Sequence, residues 1–388
     1  MITRRQNLTP RSPSAFMSEQ PRRIVYVIPT LDQSGAEKQL ALLATGLPRD
    51  RFAPHVVALT RGGPYQQDIE AAGIPVTVIG KRWKADVGAY FRLKRVLHHL
   101  QPDLVHTWLF AANAYTRIAL GKQPRCPVVV SERCVDSWKS AWQLRIDRWL
   151  APRTACLIGN SASVIEFYQQ HGLPAEQLRV IPNGVAAETG AGMTHVEACE
   201  QLGLPPESFL AGYVGRLAPQ KRVQDLVWAV ETLRQIRPQF HLVVIGDGPE
   251  RERLESFADA IGCPKNVHFL GHREDAAAWM TGFDAVGLAS GFEGMSNSLM
   301  EAMGAGKPVV VSDIPANREL VTHEQTGLLV KLGDGVGFMQ SFRRLMDEPD
   351  LGPRIGAAAQ SQMREQFSVG KMIERHVELY DSILSRRH

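Results

Sequence analysis

A chain of 388 residues is longer than one ordinary core fills, so two domains are expected. Its charged and apolar fractions are those of a soluble globular protein, and a net charge of +4 over this length makes no case for a nucleic-acid partner. Five scattered cysteines (Cys126, Cys134, Cys156, Cys199, Cys263) contain no C-x-x-C pair, which argues against a zinc site or a disulfide framework and fits a reducing, cytoplasmic compartment.

Residues 1–20 are polar, with arginines and prolines and no apolar signal-peptide core. They read as a disordered leader, with Met17 as an alternative start. No apolar run approaches the ~18 residues of a membrane span. The first predicted strand, Ile24 to Ile28, runs through a turn ending Ser34-Gly35 into a helix from Ala36 to about Leu47, where Leu40, Leu43, Ala44 and Leu47 recur at helical spacing. That is the opening of a doubly wound α/β domain, whose first turn ligands approach closely; the alternative is a plain βα connection.

Short apolar runs follow at His55 to Leu59, Val76 to Ile79, Leu104 to His106, Val128 to Val130, Cys156 to Ile158 and Arg179 to Ile181. Continuous rather than alternating runs predict a parallel sheet covered on both faces. Sites in such sheets lie off the carboxyl ends of strands, which points to His106, Glu132-Arg133 and Asn160-Ser161. The segment Lys81 to Leu100 sets Lys81, Arg82, Lys84, Arg92, Lys94 and Arg95 against the single acid Asp86. Tyr90, Leu93, Val96, Leu97 and Leu100 form its apolar stripe. It reads as a sheet-covering helix with a solvated basic face; the alternative is a helix lying on an anionic membrane. Ser137 to Arg153 is rich in tryptophan and arginine (Trp138, Trp142, Trp149, Arg145, Arg148). Its tryptophans either line an acceptor groove or sit in the core or a domain interface.

After Ile181 to Val185, the small-residue stretch Ala186 to Gly192 reads as a linker. A second α/β unit then opens. Strand Leu210 to Val214 ends at Gly215-Arg216, with Pro219 and Lys221 in the loop. A helix from Val223 to Ile236 is stopped by Pro238. Strand His241 to Ile245 ends in Gly246-Asp247-Gly248, and strand Val267 to Leu270 ends at Gly271-His272. A closing helix spans about Ser368 to Arg387. The predicted domains are therefore 21–188 and 189–367, with a final helix at 368–388, and the natural site is the cleft between the two halves.

Gly291 to Gly306 reads GFEGMSNSLMEAMGAG between apolar runs Ala285 to Ala289 and Pro308 to Val311. That is strand, polar loop, helix, strand. Ser296 or Asn297 can N-cap the helix, whose free N–H groups and positive dipole end suit a phosphate. Glu293 lies ahead of that helix and Glu301 about one turn inside it, so one carboxylate faces each side of the phosphates. This is the layout of a nucleotide-sugar. Arg216 and Lys221 supply the cations a departing diphosphate needs. The sixth position of a G-x-G-x-x-G fingerprint at Gly246 is Arg251, so a nicotinamide enzyme is weakly supported. No D-x-D occurs, so metal is not implied, and there is no G-x-x-x-x-G-K-[ST] and no G-x-S-x-G.

These residues resemble the retaining glycosyltransferases of family 4, which have the GT-B fold. The matching pieces are SGAEKQL (34–40), PDLVHTW (102–108), IPNGV (181–185), GRLAPQK (215–221), VVIGDGPERERL (243–254), VHFLGH (267–272), FEGMSNSLMEAMGAGKPVVVSD (292–313) and TGLLV (326–330), spread over roughly residues 22 to 385. The resemblance implies an α/β protein of two Rossmann-like domains facing a cleft, with the closing helix crossing back onto the first. Arg216 and Lys221 would hold the diphosphate and Glu301 the ribose. Glu293 would face the donor sugar, and backbone around Leu270 to His272 would meet the base. Gly35 would approach the phosphates from the first domain, alongside Gly215 and the helix-start residues Gly294, Met295, Ser296 and Asn297. Many members carry a sugar-facing histidine after the strand that here reads VVVSERC. This chain has Glu132-Arg133, which makes Arg133 the candidate; His106 stands at an earlier strand end.

The implied reaction is retaining, metal-independent transfer from a UDP- or GDP-sugar, used as substrate with no cofactor, to a hydroxyl of a sugar, glycolipid or oligosaccharide in polysaccharide or glycolipid synthesis. A cytoplasmic enzyme, peripheral at the inner membrane face, fits it. The alternatives are an epimerase or phosphorylase of the same fold and a non-catalytic binding protein.

Overall fold

The computed structural model describes residues 20–135, 139–186 and 192–386; the leader, Trp138 and most of the linker lie outside the described residues. The first parallel sheet is built from β1 (Arg22–Ile28), β2 (Phe52–Ala58), β3 (Val76–Val78), β4 (Leu104–Trp108), β5 (Val128–Glu132), β6 (Cys156–Gly159) and β7 (Leu178–Val180), in the order β3-β2-β1-β4-β5-β6-β7. Its helices are α1 (Gly35–Gly46), α2 (Pro64–Ala71), α3 (Val87–Leu100), α4 (Leu109–Ala119), α5 (Ala141–Leu150) and α6 (Ala162–Gln170). α7 (His195–Leu202) leads into the second parallel sheet, of β8 (Phe209–Val214), β9 (Phe240–Ile245), β10 (Val267–Gly271), β11 (Ala285–Leu288), β12 (Val309–Ser312) and β13 (Leu328–Val330), ordered β10-β9-β8-β11-β12-β13. Around it lie α8 (Val223–Arg234), α9 (Arg251–Ala260), α10 (Ala276–Gly282), α11 (Asn297–Gly304), the short α12 (Pro315–Arg318), α13 (Gly335–Asp347) and α14 (Leu351–Gln366), before α15 (Val369–Ser385). This is two Rossmann-like halves, the α/β GT-B architecture.

The pattern follows from composition. β4, β5, β6, β9 and β12 are buried along their whole length, which only strands covered on both faces can be. In both sheets the order reverses beside the first strand of the half (β1 and β8), so each crevice opens above its strand ends.

α15 belongs structurally to the first half. Met372, Tyr380 and Ile383 join one core with Tyr26, Leu40, Phe52 and Trp108. The chain passes between halves twice, and the two passages are hydrogen-bonded to each other. Val185 N–H donates to the Phe367 carbonyl at 2.8 Å, and Val369 N–H donates to the Val185 carbonyl at 3.2 Å. Gly184 is required there, because a Cβ on it would sit 2.8 Å from the Val369 Cα.

β4 departs from the sequence reading. It continues two residues past His106, so His106 is not at a strand end but inside the sheet and fully buried. The apolar run breaks at His106-Thr107, yet the strand persists because the imidazole is satisfied in the interior. It bonds the Tyr380 hydroxyl and the Ser131 hydroxyl, each at 2.7 Å. A second buried imidazole, His376 on α15, donates from Nδ1 to the Met372 carbonyl at 2.8 Å.

Burial, and after it the Arg133 guanidinium, hold His376 down to about 3, against an ordinary 6.5. On acidification the unfolded chain therefore takes up this proton first. Stability is present above pH 6.5 and drains as pH falls toward 3, by about 1.4 kcal/mol per pH unit for one such group. His376→Asn, which keeps a donor for Met372, should flatten the fall of unfolding free energy between pH 6 and 4.5 by roughly that slope in urea titrations. Parallel curves for variant and parent would contradict a buried neutral imidazole.

Candidate functional site

The helix start that the sequence singles out lies against the first half. β11 ends at Leu288, the chain loops through Gly291 to Met295, and Ser296 caps α11 by accepting from the Leu299 N–H. Asn297, the first helical residue, is held by three groups of the other half. Its Nδ2 donates to the Gly35 carbonyl at 3.0 Å. Its Oδ1 accepts from Asn183 Nδ2 at 2.7 Å and from Gln39 Nε2 at 3.3 Å. Asn183 Nδ2 also reaches the Met295 carbonyl at 3.1 Å. Gln39 in turn makes a two-way pair with the Gly184 backbone, both bonds 2.8 Å. The starts of α1 and α11 are thereby brought face to face, their free N–H ends bordering one space.

Charged side chains ring this point. Lys221, in the turn after β8, forms an ion pair with Glu293, which is 7% exposed. Lys38 Nζ, one turn into α1, meets Glu301 Oε1 at 2.7 Å across the cleft. Arg216 is exposed, with no side-chain partner among the described residues; its carbonyl is fixed by the Tyr213 hydroxyl at 2.9 Å. At the far side of the second sheet Leu270 is partly exposed, and His272 Nε2 meets Gln33 Oε1 at 2.9 Å. Gly215 N–H donates to the Ile245 carbonyl and Gly246 N–H to the Gly271 carbonyl, tying three strand ends into one rim. Gly246 has φ 136°, and a Cβ there would lie 1.9 Å from the Gly215 carbonyl oxygen.

The structure thus gathers Gly35, Glu293, Gly294, Met295, Ser296, Asn297, Glu301 and Lys221 closely, with Arg216 and Gly215 beside them and Leu270 and His272 at the other end of the rim. Lys38, Gln39, Asn183 and Gln33 were missed as site residues. Three of them lie in or next to the SGAEKQL segment, and Asn183 lies in IPNGV, so proximity to Gly35 and to the inter-half passage was the available signal.

The first-half wall differs from expectation. Glu132 is the last residue of β5 and points away from the cleft. It accepts from Asn113 Nδ2 at 2.8 Å and Lys139 Nζ at 3.2 Å, in a buried network where Asp147 pairs with Lys139 and Arg117. Successive strand residues face opposite ways, so Arg133 turns to the other side. Its guanidinium stacks 3.8 Å over Trp108 and donates to Asn183 Oδ1 at 3.2 Å and Ser131 Oγ at 3.3 Å. Burial presses it down to about 9. Trp142 and Trp149 are 57% and 58% exposed, which removes them from the core and from a domain interface.

Next to Glu293, a pocket of about 220 Å³ opens between the halves, walled by Ser163, Glu166, Phe167, Phe292 and Pro315. Beside it Glu319 clasps the start of α6, accepting from the N–H groups of Ala162 and Ser163 at 2.8 and 3.0 Å and from Ser163 Oγ at 2.7 Å. Among the described residues no group of His, Cys, Asp and Glu is placed to hold a metal ion.

The chain is similar to known proteins over most of its length. The model for Glycosyl transferases group 1 matches residues 194–362, and that for Glycosyltransferase Family 4 matches residues 33–189. The lipopolysaccharide core biosynthesis glycosyltransferase LpsD of Rhizobium meliloti is 32% identical over 365 residues, covering 92% of this chain and 97% of that protein. A UDP-Gal:alpha-D-GlcNAc-diphosphoundecaprenol alpha-1,3-galactosyltransferase of Escherichia coli is 26% identical, covering 86% and 90%. The crystal structure of HepE from Anabaena in complex with UDP-glucose superposes with a TM-score of 0.83 at 25% identity, over 93% of this chain and 99% of that one.

Gly294 marks a close approach between the halves: a Cβ on it would stand 2.3 Å from the Arg133 carbonyl oxygen and 2.6 Å from Asn160 Oδ1. Gly294→Ala should therefore push the Glu293 loop off the first half and lower stability by about 1–3 kcal/mol in urea unfolding. An unchanged midpoint would show that the loop yields freely there.

Proposed function

The chain belongs to the group 1 glycosyl transferases, and we propose that it moves a sugar, with retention and without metal, from a nucleotide diphosphate sugar to an acceptor hydroxyl in glycolipid or polysaccharide synthesis. The observation that carries the reading is the Lys221–Glu293 pair set beside the capped start of α11. A diphosphate placed on the α11 N–H groups gives Lys221 a stronger anionic partner than Glu293, with Arg216 free to join it. Glu293, released from its cation, then faces the donor sugar and accepts from its hydroxyls. As the bond from the anomeric carbon to the diphosphate lengthens, charge grows on the phosphate oxygens where these fixed donors already point. Glu293 supports the positive charge left on the ring.

Glu301 takes the ribose hydroxyls, trading its partly exposed contact with Lys38, a pair worth about 1 kcal/mol or less. Backbone near Leu270 and His272 meets the base. UDP is the favoured nucleotide, because HepE, which matches 93% of this chain, holds UDP-glucose. The acceptor hydroxyl enters through the pocket walled by Phe167 and Phe292; retention requires it to attack from the side the diphosphate leaves. Arg133 serves as a positioning residue: through Asn183 it fixes the backbone at Met295 and the Asn297 side chain. No helix among the described residues is long and apolar enough to cross a membrane.

Lys221→Ala and Glu293→Gln should each reduce nucleotide release in the presence of acceptor by about 10²–10³-fold, the scale of losing one transition-state stabiliser; Glu293→Gln should keep a melting temperature near the parent's, while Lys221→Ala, which leaves the nearly buried Glu293 unpaired, should lower it. Full activity in both variants would remove these two residues from the reaction. Conversion of the donor to an isomer without acceptor would identify an epimerase instead.

A further inference from the structure

Among the described residues, the five most exposed large apolar side chains are Trp83 at 69%, Val87 at 66%, Phe91 at 61%, Trp149 at 58% and Trp142 at 57%. All lie in the first half, on or just before α3 and α5. Val87 and Phe91, four apart on α3, face outward opposite the buried Ala89, Leu93 and Leu97, and Trp83 stands exposed in the turn just before the helix. Trp142 and Trp149, seven apart, share the outward side of α5. A helix that merely covers a sheet has no use for an outer row of tryptophan and phenylalanine, and exposed apolar patches of this kind mark contact surfaces.

The charges around them have one sign. Arg82, Lys84, Arg92, Lys94 and Arg95 are exposed on and before α3, and Arg145 and Arg148 on α5. Each segment holds one acid, and each acid is turned inward. Asp86 caps α3, accepting from the N–H groups of Ala89 and Arg82 at 2.8 and 2.9 Å, and it pairs with Arg92 at 3.5 Å. Asp147 is buried against Arg117 and Lys139. The outer surface of both helices is therefore aromatic and basic, with no acid facing out. α4 packs between α3 and α5, and it joins the two stripes: Phe110 meets Trp142 edge-on at 6.0 Å, and Tyr115 lies under Lys81 at 5.3 Å.

Position adds a direction. α3 and α5 begin beyond the carboxyl ends of β3 and β5, so Trp83, Val87 and Trp142 stand at the rim that borders the cleft. We propose that the α3–α5 face docks on an anionic lipid bilayer, seating its tryptophans at headgroup depth and its lysines and arginines on lipid phosphates, so that the cleft mouth opens at the surface where a lipid-anchored acceptor presents its hydroxyl. The aromatic-and-basic composition on a convex helical layer is the chemistry of the membrane interface. The role given to the docking rests on the transferase reading of the cleft; the docking itself does not.

The test is sedimentation of the purified full chain with vesicles of phosphatidylglycerol and phosphatidylcholine, or of phosphatidylcholine alone, with UDP thermal shift measured in parallel. The chain should pellet with the anionic vesicles, less so at high salt, and stay in solution with the neutral ones. Trp83→Ser with Phe91→Ser, and separately Lys94→Glu with Arg95→Glu, should each weaken the anionic partition by about tenfold or more. Both variants should keep the parent's UDP-dependent shift, since none of these residues touches the cleft pairs. A chain that responds to UDP yet stays in solution with anionic vesicles overturns the docking proposal. So do variants that pellet like the parent, or a dimer that Trp83→Ser with Phe91→Ser disperses. Binding to anionic vesicles without any response to UDP upholds the docking and overturns the UDP-sugar donor reading instead.

Discussion

Asn297 is the contact on which the arrangement depends. A helix start binds an anion only if something fixes where its N–H groups point, and here that work falls to one amide with partners from the opposite half: the Gly35 carbonyl, Asn183 and Gln39. Asn183 extends the contact backward to Arg133, which leans on Trp108 and Ser131, and from Ser131 through His106 to Tyr380 on α15. A chain of hydrogen bonds therefore runs from the last helix to the start of α11. Most of its members are buried, where a polar group without a partner costs about 1–3 kcal/mol, so breaking one link disturbs the next.

The charges of the cleft are balanced in pairs without any ligand. Lys221 neutralises Glu293 and Lys38 neutralises Glu301, one pair within the second half and one bridging the two. A self-paired site avoids leaving Glu293, which is nearly buried, as a lone anion. On the proposed donor reading, ligand entry is then an exchange of partners rather than a first neutralisation. Arg216, left exposed, adds attraction for an anion without any such exchange.

Much of this was legible in the sequence. The buried strands announced themselves as unbroken apolar runs, and the loops that matter followed those runs as glycine and polar clusters, as at Gly215-Arg216 and Glu293 to Asn297. What the sequence hid was set by distance along the chain. Lys38 meets a carboxylate 263 positions away, and Asn183 an amide 114 away, and no local pattern encodes either. His106 misled for a related reason: its polarity signalled a strand end, while the hydroxyls that let it stay inside the sheet come from Ser131 and Tyr380. The outward-facing Val87 and Phe91, with Trp83 just ahead of them, were overshadowed by the stronger inward stripe of α3.

The return of α15 to the first sheet has a consequence for synthesis. The ribosome releases β1 to β7 well before it translates Met372, Tyr380 and Ile383, which complete the core around Tyr26 and Phe52. Until then that core is open on one side, with the passage at Val185 still lacking its partner near Ser368. Nascent domains generally fold as they emerge, but this one finishes last, after the half that follows it. A transcript cut short anywhere before α15 yields an intact second sheet at most, never a finished first one. Truncated products thus present apolar surface to proteases and chaperones rather than persisting as half-molecules that compete for nucleotide.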